Sequence, residues 1–497
     1  MGHLRTLYRR STYFMGGRVL LLLLGFISFP VFTRVFSVAD YGLISIINLT
    51  IIFLTSGAKL GLQFSAQRFY HEGETQSATQ LTRYTSTLIV GTSLISAIAC
   101  CGLTVGVFLV PDSLLSTPVK KALMAGLALI VVRNARTLIT NLMSVRGDVI
   151  SFNVLEVSSR AVSIGLILLA LFLWRKSVAV FFLATTAGEA ICLLAALPIL
   201  VRRRLLSLTA FDSHLLRVFL AFGVPLMWTE IVWGILDSGD RYVVQFLMGS
   251  AAVGHYSAAY NLCKYIQDVM LAPVSMALFP IVMTIWTEKG KNDTEQFLSR
   301  TLDHFVLAGI GVLAATVLTA QDAIVILASA KYREAYALMP VILAGLVIGA
   351  TESFFKAGLM IAKDSSSILK TTVIAAVVNL GINFVLIPFL GLQGAAIATL
   401  ISYVVYVAML ARASAKHLHL KLRMATVKYV MAGALTVLLL RHVCIGNLYG
   451  RVFVTGTLAL AVYFGVVALI HGEFRQLVFD AFKGKPSPTK NTPSGLP

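Results

Sequence analysis

The stretch KALMAGLALIVVRNARTLITNLMSV, residues 121 to 145, carries two arginines inside a run otherwise apolar enough to cross a bilayer. From Arg133 and Arg136 the polar positions continue through Thr137, Thr140, Asn141 and Ser144, at steps of one and three residues. That is the spacing of one helical face. A charged side chain at membrane depth costs about 2.5 to 3.5 kcal/mol on insertion scales, so such a face normally lines a wet interior. Arg136 is ten residues, about 15 Å along a helix, from Arg146 in the next connection. Simple snorkelling does not easily reach so far. The segment predicts a transmembrane helix presenting a cationic face to substrate, with an interhelical ion pair as the alternative.

Similar apolar runs fill the rest of the 497 residues, of which 58% are hydrophobic and 13% charged. A soluble domain typically has about 25% charged residues, so an ordinary water-soluble enzyme is excluded. Runs bounded by charge, Gly or Pro predict an all-α chain of about fourteen spans near 13–34, 41–66, 84–110, 119–143, 150–174, 177–201 and 216–247. Seven more follow near 251–285, 299–320, 337–362, 367–390, 392–411, 424–442 and 451–471. Spans of about 21 residues leave about 14 for each terminus or connection, too few for a soluble domain. The start, Met1 to Arg10, is basic like a signal peptide, but its apolar run continues a longer span and reads as a retained first helix.

The net charge of +19 reads as cytoplasmic loops facing anionic lipid rather than as nucleic-acid binding. With the N-terminus inside, cytoplasmic segments carry 23 basic residues and the opposite side 10, which predicts both termini in the cytoplasm. Sliding the chain by 212 residues pairs Ala39, Gly42 and Ser45 with Ala251, Gly254 and Ser257. This weak repeat suggests two six-helix halves, 1–205 and 206–415, then a helix pair in 416–475 and a disordered cytoplasmic tail, 476–497. Many transporters are built so around a central site.

Eight basic residues fall within spans: Arg18, Lys59, Arg133, Arg136, Arg160, Lys264, Lys356 and Lys428. The acids there include Glu156, Glu189, Glu230, Asp268 and Glu352. Glu156 with Arg160, Lys264 with Asp268 and Glu352 with Lys356 are opposite charges four residues apart, able to neutralise each other or to act as gates. Arg18 and Lys59 have no acid within four residues and are ligand candidates. Glu230 aligns with Arg18 at the same offset of 212, which predicts facing charges or a proton sensor. Asp237, Asp240 and Arg241 are candidates for ion coupling or a plain structural turn. His71-Glu72 begins like a zinc-protease motif, but Thr75 replaces the second ligand. The five cysteines show no C-x-x-C spacing, and no phosphate loop occurs, so neither a metal, a disulfide framework nor another cofactor is expected.

The segment NLGINFVLIPFLGLQGAAIATLISYVVYV, Asn379 to Val407, resembles bacterial polysaccharide flippases in Asn379 and Asn383 before Ile387-Pro388, then Gly391, Gly394, Ala395 and Ala396. FTRVFSVADYGLISI and DRYVVQFLMGSAAVGHYSAAYNL resemble the same family, within the superfamily of multidrug, oligosaccharidyl-lipid and polysaccharide exporters. Together with the span count, the resemblance covers roughly residues 10 to 412. It implies two six-helix lobes in a V around a cationic cavity, in the bacterial cytoplasmic membrane. It also implies transport of a sugar chain on a polyprenyl diphosphate by ion-coupled alternating access, with a polysaccharide polymerase and its chain-length machinery as protein partners. Arg18, Arg133 and Arg136 are the positions that fit the cationic cavity. The substrate-binding candidates are then Arg18, Lys59, Arg133, Arg136, Thr137, Asn141, Arg160, Lys264 and Lys356, and the ion-coupling candidates Glu230, Asp237, Asp240 and Glu352. Three rival readings stay open. They are a peptidoglycan- or teichoic-type precursor flippase, a small-molecule drug exporter, and a membrane glycosyltransferase or polymerase. The longest extracytoplasmic loop offers that last reading only Asp322 and Glu334 as acids.

Overall fold

A computed structural model describes residues 2–70, 77–174, 176–203, 205–420, 425–443, 446–472 and 475. The His71-Glu72 pair, Cys444 and the tail 476–497 lie outside these. Among the described residues there are seventeen α-helices and no strand. They are α1 (Gly2–Val35), α2 (Val38–Lys59), α3 (Leu62–Arg68), α4 (Ala78–Leu109), α5 (Thr117–Val145), α6 (Val149–Leu173), α7 (Val178–Arg202), α8 (Ser213–Ser238) and α9 (Asp240–Met248). Then come α10 (Ser250–Lys289), α11 (Lys291–Leu327), α12 (Met339–Ala350), α13 (Glu352–Ile361), α14 (Ser365–Leu390), α15 (Leu392–Ser414), α16 (Ala425–Leu440) and α17 (Leu448–Ile470).

Twelve segments are long and apolar enough to cross a membrane, and Ala425–Leu440 is a shorter apolar helix. With the 40-residue α10, each of the fourteen expected spans meets a helical segment. Three spans expected as continuous are broken. The second stops at Lys59, because Leu60 and Gly61 take left-handed backbone angles, φ 50° and 70°. A side chain at Gly61 would also meet the Gly223 carbonyl oxygen at 2.0 Å, so only glycine fits there. The seventh span divides at Gly239 into α8 and α9, and the tenth at Thr351 into α12 and α13.

The chain forms two compact units. One comprises Met1–Asn261, Leu327–Tyr332 and Ile368–Ser402. Its inner helix is α5, which buries Leu127, Leu129, Ile130, Leu138 and Ile139, and whose Asn134 Nδ2 donates 2.8 Å to Ser96 Oγ. A core of Leu62, Tyr84, Leu88, Leu138, Leu142, Leu200 and Phe219 joins α3, α4, α5, α7 and α8. Outside the spans, Arg203 donates to Asp148 at 2.8 Å. Burial pushes the Asp148 carboxyl up, but Arg203 and Ser151 more than offset this and hold it below its ordinary range.

The weak repeat has a physical basis within this unit. A Cβ on Gly42 would strike the Ser250 carbonyl oxygen at 1.9 Å, and one on Gly254 would strike the Val38 carbonyl oxygen at 2.1 Å. Positions 38 and 250, like 42 and 254, are 212 apart, so α2 and α10 cross through the same patch on each, as in a two-fold contact. Glycine lets the two backbones touch.

The second unit comprises Leu262–Ile326, Arg333–Ser367 and Tyr403–Pro497. There α16 and α17 pack on α11, where the Tyr463 hydroxyl donates to the Leu307 carbonyl and the Tyr429 hydroxyl to Asp303 Oδ2, both at 2.9 Å. Large apolar side chains such as Phe108, Phe172, Phe389, Phe453 and Leu469 are exposed across both units. That is the surface expected against lipid tails, and the chain is a multi-pass membrane protein.

Candidate functional site

In the first unit α1, α5, α6 and α7 line a cavity of about 180 Å³, formed by Leu21, Arg133, Arg136, Glu156, Ser159, Arg160, Ser163 and Glu189. Arg133 and Arg136 share one face of α5, as their spacing requires. The interhelical ion pairs given as the alternative for these arginines are present, with acids of α6 and α7 beside both. Arg133 Nε donates to Glu189 Oε1 at 3.1 Å, and Arg136 Nη1 donates to Glu156 Oε2 at 2.8 Å. Arg136 Nη2 also lies 3.4 Å from Glu189 Oε2. Asn48 on α2 accepts from Arg133 Nη1 at 3.4 Å. Two carboxylates are thus laid between helices because two guanidinium groups at this depth need counter-charge.

The balance is still positive, since Arg133, Arg136 and Arg160 face Glu156 and Glu189. Arg160 is exposed, whereas Glu189 is 7% exposed. Arg136 Nε, Ser159 Oγ and Glu189 Oε2 are buried without a hydrogen-bond partner. The lining therefore offers spare donors and one net positive charge, which suits an anion. Among the described residues no group of three or more His, Cys, Asp or Glu side chains could hold a metal ion.

The other expected residues are dispersed. Thr137 and Asn141 lie outside this lining, and Asn141 Oδ1 instead accepts from Gln67 at 3.4 Å. Arg18 is exposed on α1. Lys264 and Lys356 belong to the second unit, where Lys264 donates to Gln267 at 2.9 Å and Lys356 pairs with Glu352 at 2.8 Å. Lys428 is exposed.

The pairing expected between Glu230 and Arg18 is replaced by another. Glu230 accepts from Ser56 at 2.9 Å, Lys59 at 3.1 Å and Gln63 at 2.6 Å. Lys59 ends α2 and is buried, so its ammonium needs this carboxylate.

Asp240 and Arg241 are buried, at 2% and 9% exposure, rather than in solvent contact. Tyr256 donates to Asp240 Oδ2 at 2.5 Å and Thr399 donates to it at 3.0 Å, while Oδ1 has no hydrogen-bond partner. The Arg241 guanidinium lies 4.4 Å over the Tyr260 ring, and Tyr260 donates to the Asp237 carbonyl at 2.9 Å. Glu189, Ser159, Tyr256 and Thr399 were not among the expected site residues. Glu189 left one sign in the sequence, as an acid in mid-span with no base within four residues, which requires a cation from another helix.

The fold matches that of flippases and transporters. A lipid II flippase, MurJ, in an inward closed conformation superposes with a TM-score of 0.75 at 15% identity, over 94% of this chain and 99% of that one. A MATE transporter of Vibrio cholerae gives 0.57 at 15% identity, over 83% and 96%. A transporter of the MOP superfamily from Pyrococcus furiosus gives 0.54 at 14% identity, over 82% and 95%. No curated protein matches the chain in sequence. Residues 7–286 match the family described as polysaccharide biosynthesis protein, and the chain belongs to that family.

Proposed function

We propose that this protein is a flippase that carries a polyprenyl-diphosphate-linked oligosaccharide, a polysaccharide repeat unit, across the bacterial cytoplasmic membrane by alternating access. The single observation that carries the reading is the net-positive cavity lined by α1, α5, α6 and α7 at membrane depth. A diphosphate must be held by cations as it crosses, while its polyprenyl tail can stay in lipid. Arg133 and Arg136 grip the diphosphate, and Arg160 adds charge beside them. The two halves, 1–205 and 206–415, rock against each other, the first of them carrying the arginine cavity, and both termini stay in the cytoplasm. The chain performs no covalent chemistry.

Family membership supports the polysaccharide part of this reading. The likeness to a lipid II flippase favours a second reading, a peptidoglycan-type precursor, whose diphosphate head would need the same cations. For coupling, Asp240 is the strongest of the four candidate acids. Glu230 and Glu352 are each held by a lysine, whereas the Asp240 carboxylate is held by the neutral hydroxyls of Tyr256 and Thr399.

Depletion of the protein tests the substrate. Lipid-linked oligosaccharide should accumulate on the cytoplasmic face while peptidoglycan synthesis continues. Accumulation of peptidoglycan precursor instead selects the second reading, and no lipid-linked intermediate of either kind would overturn both.

A further inference from the structure

We propose that Glu189 is a built-in counter-ion that occupies the arginine pair until a substrate phosphate displaces it, and so sets the charge a ligand must carry. This rests on the reading of the cavity as the headgroup site. Glu189 comes from the middle of α7, and its two oxygens lie toward the two arginines of α5, Oε1 3.1 Å from Arg133 Nε and Oε2 3.4 Å from Arg136 Nη2. A carboxylate across two guanidinium groups sits among the same donors that a phosphate would use.

Its fit is incomplete. Oε2 accepts no hydrogen bond, and Arg136 Nε and Ser159 Oγ donate none. Two buried donors on one lining are thus left for a ligand with more acceptors than a carboxylate has, and the unbonded Glu189 oxygen makes the carboxylate easier to displace. Glu156 differs from Glu189, since it pairs with Arg136 while Glu189 lies across both arginines, and its side chain is more exposed, at 22% against 9%.

Charge then decides what can enter. With Glu189 in place the lining has three guanidinium groups and two carboxylates. A monoanion brings no more charge than the carboxylate it must displace. A diphosphate brings more charge and acceptors on two phosphorus centres, so it can take both arginines in Glu189's place. Glu189 is therefore a specificity residue that rejects phosphodiesters and other monoanions.

The test uses the full chain in nanodiscs, with inorganic pyrophosphate and dimethyl phosphate as probes, by calorimetry at one pH and salt concentration. The parent should prefer pyrophosphate. Glu189→Gln should tighten dimethyl phosphate by about tenfold or more, about 1.4 kcal/mol, and narrow the preference. Glu156→Gln, which removes the same charge, should gain clearly less. Glu189→Ala serves if the Gln variant does not insert. No gain at position 189, or an equal gain at 156, overturns the proposal. If pyrophosphate binding is lost in Arg133→Ala/Arg136→Ala yet dimethyl phosphate is unmoved by the Glu189 variants, only the counter-ion role fails. If pyrophosphate binding ignores the arginines, the headgroup reading fails with it.

Discussion

Ser45 and Ser257 share a hydrogen bond of 2.8 Å between their hydroxyls, and they are 212 residues apart. The offset that relates Gly42 to Gly254 thus brings equivalent side chains face to face one turn further along α2 and α10. Each single Ala variant should lose about 1 kcal/mol. The double variant should lose less than the sum, because the second change removes a partner already orphaned. Thermal unfolding in detergent measures this, and strict additivity would contradict a working bond. Gly42→Val should cost more, about 1 to 3 kcal/mol or beyond, since backbone has to move.

Removing the acid opposite Lys59 should be worse than removing both. Glu230→Ala leaves an ammonium buried without its counter-charge and should destabilise by about 3 to 5 kcal/mol. Lys59→Met with Glu230→Gln should recover most of the lost abundance in the membrane. If the single and double variants accumulate equally, the pair is not structural. Normal transport by Glu230→Gln at every proton gradient tested would remove it from the coupling candidates.

Arg133→Ala or Arg136→Ala should cut export of polysaccharide at least about tenfold, while Lys at either position should rescue only in part, because it lacks the planar fork. Immunoblots of membrane fractions must accompany the assay, since loss of a partner for Glu189 or Glu156 also strains folding. A double Ala variant of normal abundance and parental export rate would end the cationic-site mechanism.

The orientation rests on the basic asymmetry of 23 to 10 and is checked with topology reporters. Fusions after Arg204 and at the C-terminus should both report the cytoplasm. An extracytoplasmic signal at either would reverse the assignment of the loops.

The helices were legible in the sequence because burial in lipid writes itself as long apolar runs, and even the three thin matches at an offset of 212 proved to mark a real crossing. The polar face of α5 was half legible. Periodicity put Arg133 and Arg136 together, but it also extended the face to Asn141, which meets Gln67 instead. What periodicity cannot contain is the rotation and depth of neighbouring helices, which brought Glu189 to the arginines. The same limit explains Glu230. Alignment with Arg18 by offset describes equivalent positions, whereas contact with Lys59 depends on the break at Leu60 and Gly61 that ends α2 beneath it. No apolar pattern records that break, since Leu60 is itself apolar.

The pairing of Tyr429 with Asp303, and of Tyr463 with the Leu307 carbonyl, bears on how such a chain can be shortened or ancestrally acquired. Cut at residue 415, the remainder would lose the hydroxyl donors that Tyr429 and Tyr463 bring to Asp303 Oδ2 and the Leu307 carbonyl, and a polar group left unpaired in an apolar setting is costly. The final helix pair is an accessory by position but is bound in by chemistry. A chain without the pair should be more stable with Asp303 exchanged for an apolar residue than with Asp303 kept.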